Sequence, residues 1–568
     1  MKDPRAAAFV TAALSGRLNR RKVLTHGLQL GLASPLITAL MTHAPIASAA
    51  PAAVPRGRLA AQTSSGTFTA LITSGTDDID PHSSYTTLSS TVALGLYEML
   101  IQLNGSSTDE FEPMLAQEWE SNADGSVYTF RLAPNALFHD GTPCDAQAVK
   151  DSFTRFLLLE LGPVNVISRF VQNPDQMEVV DPTTIRFNLG RPQPLFLAAM
   201  ASQYGPFIVS PTAVQENKTD DDPWAHEWFL ANAVGSGPYK LDQNSLNEGL
   251  VMSKFDDYHG GWDGNHFDQI VLRVVPETAT RRQLLEQGEA DAATFSLTPE
   301  DLEALKINPD VQVLIYDTTD VTWIQMNAPR MKTKEVRQGF SYAFPYQEVI
   351  DGAFSGLLKR SGPIPDTVRG FDPNVFLYQT DMAKAKELIL AGGFKEGDSF
   401  DYMFDANDPF EPTVAQLFQA NLAQIGFNLE LTAVDSAAKD SLIFGDSPAE
   451  ERPMFVDYEW WPDYNDPWNH LAPNFLESSS GGGGSNTGYW VNPRFEEIMT
   501  EAEQYTDENR LLELMKEAQN ILTEQDPPAI YEGLVKYYTV LRANILGYYA
   551  NPIYLAAYPF YKMSRAVT

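Results

Sequence analysis

An aspartate flanked by aromatic residues is the most chemically distinctive short segment of this chain. Asp463 lies in the run Trp460-Trp461-Pro462-Asp463-Tyr464. A carboxylate in a water-poor cleft is costly to leave unpaired, so it favours a cation over a neutral analogue. Aromatic rings beside it offer contact area and can face a cation. The same residues can also cap a turn beside Pro462 and pack into a core, and both alternatives stay open.

Sequence patterns typical of catalysis are missing. There is no Gly-x-Ser-x-Gly nucleophile elbow and no His-Glu-x-x-His zinc motif, and Cys144 has no assignable histidine partner. The eight histidines are scattered, with none paired at metal-ligand spacing. We therefore predict no enzyme, no cofactor and no metal site built by side chains. A hydrolase stays an alternative, because sequence does not show the separation of two carboxyl groups.

Charge and length narrow the class of protein further. The net charge of −34 creates a field that repels phosphate backbones, so we expect no nucleic-acid partner. A chain of 568 residues is too long for one hydrophobic core, which predicts at least two lobes.

The N-terminal region has the composition of an export signal. Arg20-Arg21 precede a mildly apolar stretch from Gly27 to Met41, and Ala47-Ser48-Ala49 forms a small-x-small cleavage pattern. The apolar stretch is shorter than the ~20 residues that span a membrane. Residues 1–49 resemble a twin-arginine signal peptide, and residues 50–64 are predicted to be a flexible leader. We expect an exported protein, in the periplasm or at the outer face of the cytoplasmic membrane.

Hydrophobic periodicity predicts strands that alternate with helices. Residues 128–132 alternate between apolar and polar, as a half-buried strand does. An i, i+3, i+4 pattern from Val414 to Ile425 predicts a helix that Gly426 ends, and the alternation from Leu429 to Ala433 predicts a strand directly after it. A helix followed at once by a strand is typical of an α/β fold.

Short segments in a fixed order run along most of the chain. They are Asp80-Pro81-His82, Leu96-Tyr97-Glu98-Met99-Leu100, Pro113-Met114-Leu115-Ala116, Phe138-His139-Asp140-Gly141-Thr142-Pro143, Gly235-Ser236-Gly237-Pro238-Tyr239, Gly288-Glu289-Ala290-Asp291 and Trp460 to Pro467. In this order the chain resembles the peptide-type solute-binding proteins of ABC importers, the family of oligopeptide-, dipeptide- and nickel-binding proteins.

The resemblance implies a set of ligand-binding residues, which are Asp463, Trp460, Trp461, Tyr464, Tyr85 and Thr87. In peptide-binding relatives, the aspartate that matches Asp463 pairs with the α-ammonium of the ligand. The three aromatic residues beside it are expected to form a wall, and Tyr85 and Thr87 map to the cleft-facing loop of the first lobe. The chain also departs from the family: Phe344-Pro345-Tyr346 stands where relatives carry an Asp-Arg pair, and no arginine is assignable to a ligand carboxylate.

The fold that the resemblance implies is α/β, a two-lobed periplasmic-binding-protein-like fold with an inserted subdomain in the first lobe. The boundaries we expect are 65–103, 228–319 and 531–568 for lobe I, 104–227 for the inserted subdomain and 320–530 for lobe II. Ligand binding would favour a closed arrangement of the lobes by contacts available only there.

The function that the resemblance implies is that of an extracytoplasmic solute-binding protein. It would capture a small ligand, a peptide in the first instance, and deliver it to the permease subunits of an ABC importer, its only connection to the membrane. A binder of another solute, such as an oligosaccharide or a metal chelate, and a sensory binding module stay alternatives.

Overall fold

The computed structural model describes residues 66–566 except Lys332, Asp446, Gly482, Gly483, Gln504 and Thr506. The described residues belong to one compact unit. The predicted signal peptide, residues 1–49, and the predicted leader, residues 50–64, lie outside the described residues.

The strands in chain order are β1 (Thr67–Ile72), β2 (Ile101–Leu103), β3 (Phe111–Pro113), β4 (Ala116–Ser121), β5 (Val127–Leu132), β6 (Met177–Asp181), β7 (Thr184–Asn188), β8 (Tyr239–Ser245), β9 (Gly249–Lys254), β10 (Gln269–Val274), β11 (Ala292–Thr294), β12 (Val311–Met326), β13 (Leu358–Lys359), β14 (Ser399–Asp405), β15 (Asn428–Val434), β16 (Phe455–Trp460), β17 (Ala529–Arg542), β18 (Ile545–Leu546) and β19 (Ser564–Arg565).

The helices of eight or more residues are α1 (Thr87–Leu96), α2 (Ala146–Leu159), α3 (Thr278–Gln287), α4 (Pro299–Lys306), α5 (Lys334–Ala343), α6 (Met382–Ala391), α7 (Glu411–Gln424), α8 (Ser436–Ile443), α9 (Pro467–Phe475), α10 (Pro493–Ala502) and α11 (Glu508–Asn520). Shorter helices lie at Asn165–Ser168, Phe196–Met200, Pro211–Asn217, His226–Phe229, Ala328–Met331 and Tyr346–Glu348.

One mixed sheet organises the protein, in the strand order β15-β14-β16-β12-β17-β11-β1-β10-β9-β8. The two long strands β12 and β17 lie at its centre and pair with each other on both sides of an irregularity between Asp317 and Val321. We call the part with β1 and β8 to β11 lobe I, and the part with β14 to β16 lobe II. The strands β12 and β17 therefore connect the two lobes.

A separate antiparallel sheet, β4-β5-β7-β6, lies within residues 116–188 and forms a subdomain together with α2. Asp145 begins α2, and its side chain accepts a hydrogen bond from the backbone N–H of Ala148. This cap satisfies one of the free N–H groups at the helix start.

Alternate side chains of the central strands enter two different hydrophobic clusters. Val321 and Trp323 of β12 belong to one cluster, and Ile324 and Met326 belong to the other. A sheet covered on both faces requires this alternation, because neighbouring side chains of a strand point to opposite faces.

The predicted elements named above are confirmed. The strand predicted over 128–132 is β5, and the predicted strand after Gly426 is β15. The helix predicted between Val414 and Ile425 is α7, which ends at Gln424. Gly426 follows with a φ of +90°, in the left-handed region that glycine adopts without strain.

Candidate functional site

A cavity of about 310 Å³ lies where parallel strands of lobe I end. β1 pairs in parallel with β10 and β11, and the residues that follow β1 and β11 line the cavity together with the start of α1. The lining includes Ile72, Thr73, Thr87, Thr91, Ser296 and Tyr537. Ligands of open α/β sheets bind beyond the carboxyl ends of the strands. This cavity is therefore the lobe I side of the candidate site.

Tyr85 lies in the loop before α1, and Thr87 is the first residue of that helix. Thr87 is half-buried and lines the cavity, whereas Tyr85 is 44% exposed. Thr86 caps α1, because its Oγ1 accepts a hydrogen bond of 3.3 Å from the backbone N–H of Ser89. The cap fixes where the loop ends and the helix begins.

A buried ion pair holds the preceding part of this loop. Arg155 donates to both carboxylate oxygens of Asp80, with a distance of 2.9 Å from Nη1 to Oδ1. Asp80 and Arg155 are 0% and 1% exposed. Burial alone would raise the pKa of Asp80, but hydrogen bonds from Arg155 and His226 and the charge of Arg155 hold it well below its usual range. The Asp80-Pro81-His82 segment is thus a structural anchor for the loop.

His82 completes this network as a neutral imidazole. Burial and the charge of Arg155 lower its pKa to about 3. Its Nδ1 accepts from Arg155 Nη1 at 3.0 Å, and its Nε2 donates to the carbonyl of Phe207 at 2.9 Å. The imidazole therefore joins the loop to the segment near residue 207.

Asp463 lies on the lobe II side and is 7% exposed. Its Oδ1 accepts a hydrogen bond from the Tyr85 hydroxyl, and its Oδ2 accepts one of 3.0 Å from Asn469 Nδ2. The Asn469 Oδ1 in turn accepts from the backbone N–H of Asp463 at 2.7 Å. Burial raises the pKa of Asp463, although the hydrogen bonds from Tyr85 and Asn469 oppose the shift.

The start of α9 sets the position of this carboxylate. Asp466 caps the helix through a 3.0 Å hydrogen bond from the Asn469 backbone N–H, and Pro467 occupies the first turn. Asn469 is thereby held one turn into the helix, where its side chain reaches back to Asp463. The capped helix orients Asp463 toward lobe I.

The aromatic residues near Asp463 have different surroundings. Trp461 is half-buried, and its Nε1 donates to the Tyr204 hydroxyl at 3.1 Å. Trp460 is half-buried and donates to the carbonyl of Asn469 at 3.3 Å. Tyr464 is 2% exposed, and its hydroxyl accepts a 3.1 Å hydrogen bond from Arg169. Of the three rings, that of Trp461 contacts the Tyr204 side of the cleft, next to Tyr85.

Several of these contacts join lobe II to lobe I or its subdomain. Tyr85 reaches Asp463, Tyr204 accepts from Trp461, and Asn465 donates to the Thr108 hydroxyl at 2.9 Å. The ring of Tyr85 also packs edge-on against that of Tyr204, with 4.8 Å between centroids. The lobes therefore touch around Asp463, as they do in a closed arrangement.

In the part of the chain that the structure describes, the guanidinium groups of Arg169 and Arg369 lie near this contact, and both are engaged. Arg169 stacks over Trp468 at 3.8 Å and hydrogen-bonds Tyr464. Arg369 is ion-paired with Glu508 and donates to Tyr505 at 2.9 Å. Neither guanidinium is left free for a ligand carboxylate, which agrees with the lack of an assignable arginine in the sequence.

Sequence reasoning missed a group of carboxyls that the fold assembles beside the cleft, here called the acidic group. Its members are Asp320, Asp408, Glu411, Asp457, Glu459 and Glu532. Burial raises the pKa of the five buried or largely buried members, Asp320, Asp408, Glu411, Asp457 and Glu532, and repulsion from neighbouring carboxyls adds to the effect. The one local signal is the alternation of Asp457 and Glu459 in β16, which puts both on one face of the strand.

Within the described residues, no group of three or more His, Cys, Asp or Glu side chains has a geometry that could hold a metal ion. In the same part of the chain, no helix is both long and apolar enough to cross a membrane. Cys144 is buried, with a pKa that burial raises well above its ordinary value.

Comparison with known proteins identifies relatives of this architecture. The model of "Bacterial extracellular solute-binding proteins, family 5 Middle" matches residues 110–482. The probable D,D-dipeptide-binding periplasmic protein of Escherichia coli (strain K12) is 28% identical over 483 residues, which cover 84% of this chain and 90% of that protein. The glutathione-binding protein of Shigella flexneri is 26% identical with the same coverage.

Solved structures share the fold. The periplasmic binding protein DppA of Helicobacter pylori, in complex with the peptide STSA, superposes with a TM-score of 0.75 at 23% identity and covers 88% of this chain and 98% of its own. The dipeptide-binding protein of Pseudoalteromonas sp. SM9913, in complex with Met-Leu, has a TM-score of 0.75 at 22% identity. The match covers 88% of this chain and 100% of that protein. The two-lobed α/β fold expected from the sequence is confirmed.

Proposed function

This chain belongs to family 5 of the bacterial extracellular solute-binding proteins, and from that premise we propose that it captures a short peptide by its free amino terminus and delivers it to an ABC importer. The observation that carries the proposal is Asp463, a buried carboxylate at the contact between the lobes. A peptide ligand is supported by the relatives described as D,D-dipeptide-binding and glutathione-binding, and by the similar solved structures that hold the peptides STSA and Met-Leu.

The chemistry of capture follows from the surroundings of Asp463. A primary ammonium has three N–H donors and can bond a carboxylate whose other contacts are hydrogen bonds to neutral donors, here Tyr85 and Asn469. The site holds a charge in surroundings of low dielectric, so an uncharged ligand end would leave that charge uncompensated. A free amino terminus is therefore preferred over a blocked one.

Closure couples binding to transport. The ligand lies against the lobe I cavity and meets Asp463, Trp460, Trp461 and Tyr464 of lobe II, with Tyr85 and Thr87 on the opposite side. Contacts to both lobes exist only in the closed arrangement, so the ligand shifts the population toward it by its differential affinity. The permease subunits would then recognise the closed surface.

The lobe boundaries and the export route are part of the proposal. Lobe I comprises residues 65–103, 228–319 and 531–568, residues 104–227 form its inserted subdomain, and residues 320–530 form lobe II. The irregularity of β12 between Asp317 and Val321 lies at the boundary between the lobes and supports a hinge at that point. Residues 1–49 act as a twin-arginine signal peptide, supported by Arg20-Arg21 and the small-x-small pattern that follows.

The experiment that tests this function is mass spectrometry of small molecules released from the purified, exported protein on denaturation, followed by calorimetry of the stripped protein with di- and tripeptides. We expect released masses that match short peptides, and peptides that stay intact after incubation with the protein. Release of a sugar or a metal chelate, or cleavage of the added peptide, would contradict the proposal and favour one of the alternatives.

Trp461→Phe tests the contact between lobes in a second way. The variant keeps an aromatic ring of smaller area and loses the N–H that donates to Tyr204. One neutral hydrogen bond contributes about 1 kcal/mol, so we expect peptide affinity to fall roughly fivefold, mainly through faster dissociation. Trp262→Phe, which removes an N–H donor to Phe255 within lobe I, is the matched control and should leave affinity unchanged. Equal affinities of the Trp461→Phe variant and the original protein would argue against a role in closure.

A further inference from the structure

The acidic group lies on one face of the lobe II sheet and at the hinge. Asp457 and Glu459 come from β16, Glu532 from β17 and Asp320 from β12, whereas Asp408 and Glu411 stand at the start of α7. Thr322 of β12 links the two neighbouring strands. Its hydroxyl donates to Glu532 of β17 at 3.2 Å, and the residue itself lies opposite Glu459 in the register of β12 with β16. Carboxyls from four elements are thus concentrated in one place.

Two oxygens of this group have no protein partner among the described residues. Asp320 Oδ1 and Glu532 Oε1 are buried without a hydrogen bond, and their residues are 0% and 2% exposed. Each such oxygen loses its water without replacement, which costs more for a charged group than for a neutral one. Buried polar atoms in native proteins almost always have a hydrogen-bond partner, so these oxygens are positions at which an added donor would be stabilising.

Two nearby cations compensate the negative charge of the group only in part. Lys439 forms an ion pair with Glu411, and Arg360 stacks over Tyr346 at 3.8 Å while donating to the backbone carbonyls of Tyr531 and Glu532. Six carboxyls therefore share one ion-paired lysine and an arginine whose donors point at main-chain oxygens. The group has an excess of acceptors and of potential negative charge.

One hydrogen bond connects the acidic group to the wall of the ligand cavity. Tyr537 lines the cavity and donates from its hydroxyl to Asp320 Oδ2 at 3.2 Å. Glu459 is exposed and has no hydrogen bond or ion pair among the described residues, and its carboxyl is close enough to those of Asp320 and Asp408 for their charges to act on it. Asp320 also acts electrostatically on Tyr204, the partner of Trp461. A ligand fixed at Asp463 can therefore extend toward Glu459 and Asp320.

We propose that the acidic group is a second cation subsite, which selects peptides that carry a lysine- or arginine-type side chain in addition to the free amino terminus. The inference rests on the proposed function and narrows its ligand class. An ammonium or guanidinium has several N–H donors and no acceptor, so it matches oxygens that lack donors. Arg169 and Arg369, the guanidinium groups named near Asp463, are both engaged with protein partners, whereas the carboxyls of the acidic group have oxygens to spare.

The test compares tripeptides that differ by one charged group. The probes are Lys-Ala-Ala, Ala-Lys-Ala and Ala-Ala-Lys, each set against the same peptide with norleucine in place of lysine. Charge-assisted hydrogen bonds are stronger than neutral ones, so we expect at least one lysine peptide to bind about tenfold or more tightly than its norleucine counterpart in calorimetry. Norleucine keeps the side-chain length and removes the ammonium.

Glu459→Gln should abolish that preference and leave norleucine peptides bound as before. Because Glu459 is exposed, the substitution is not expected to disturb folding. Glu430→Gln, an exposed carboxylate on β15 of the same sheet, is the control and should keep the preference. Equal binding of lysine and norleucine peptides, or a preference that survives Glu459→Gln, would overturn the inference. Failure of both peptide types to bind would instead overturn the proposed function on which it rests.

The pH dependence of the preference gives an independent readout. Burial raises the pKa of Asp320 to about 7 and that of Glu532 to about 8, with repulsion from Asp408 added in both cases. The other charged or titratable groups that face these carboxyls are Asp405, Glu411, Asp440, Asp457, Glu459, Lys439, Arg360, Tyr204, Tyr346, Tyr402 and Tyr537. A bound cation favours the ionised carboxyls, so the lysine-to-norleucine affinity ratio should rise between about pH 6 and pH 8. A flat ratio would contradict the inference.

Discussion

Asp463→Ala is expected to weaken the binding of a peptide with a free amino terminus by about 30-fold to several thousand-fold. Removing one partner of a buried, hydrogen-bonded charge pair costs about 2 to 5 kcal/mol, because the other charge stays desolvated. The loss should appear in the dissociation rate more than in the association rate. Calorimetry and stopped-flow binding on the stripped protein measure both quantities.

The conservative variant Asp463→Asn separates charge from shape. Asparagine keeps an acceptor for Tyr85 and its size matches that of aspartate, so the contact between the lobes should persist while the affinity for the ammonium falls. An N-acetylated peptide provides the complementary change and should bind the two Asp463 variants and the original protein with similar, low affinity. If Asp463→Asn binds the free peptide as tightly as the original protein does, Asp463 is not the partner of the amino terminus.

Asp80→Asn is expected to lower the free energy of unfolding by about 3 to 5 kcal/mol. The substitution removes the carboxylate that Arg155 contacts at 2.9 Å and leaves a guanidinium that is 1% exposed without its charge partner. Urea denaturation of the protein without its signal segment measures the change. Glu178→Gln is the matched control, because the Glu178–Arg186 pair lies on the subdomain surface and should contribute under about 1 kcal/mol.

The acid dependence of stability provides a check on the same network. The pKa of Asp80 is lower in the folded protein than in the unfolded chain, so its contribution is fully present above the unfolded value of about 4 and is lost as the pH falls through the folded value. The hydrogen bond to Asp80 raises the pKa of His226 in the folded protein. The stability that His226 contributes is therefore fully present below its unfolded pKa of about 6.5 and is lost as the pH rises through the folded value. Asp80→Asn should remove both dependences, and an unchanged acid profile would contradict the assignment.

Local patterns of the sequence predicted much of the fold. The alternation over 128–132 and the stripe from Val414 to Ile425 both correspond to elements of the structure. These features depend on neighbours within about one helical turn or one strand, and such short-range preferences are encoded in the order of residues. The ordered motifs likewise predicted the family, which the comparison confirms.

The surroundings of the candidate site could not be predicted in the same way. Asp80 and Arg155 are 75 residues apart, and Tyr85 and Asp463 are 378 residues apart, yet each pair is joined by hydrogen bonds. The Asp80 motif was recognisable in the sequence, but its partner and its structural role were not. No periodicity connects residues so distant, because their contact depends on how whole lobes pack.

The sequence by itself thus determined the element types, the α/β class, the family and the candidate residue Asp463. The tertiary structure alone decided the contacts of that residue with Tyr85 and Asn469, the engagement of the nearby Arg169 and Arg369, and the assembly of the acidic group. The physical reason is that pairing of β12 with both β16 and β17 brings carboxyls from distant segments onto one desolvated face. Their charge and pKa arise from that shared burial and are not properties of any single residue.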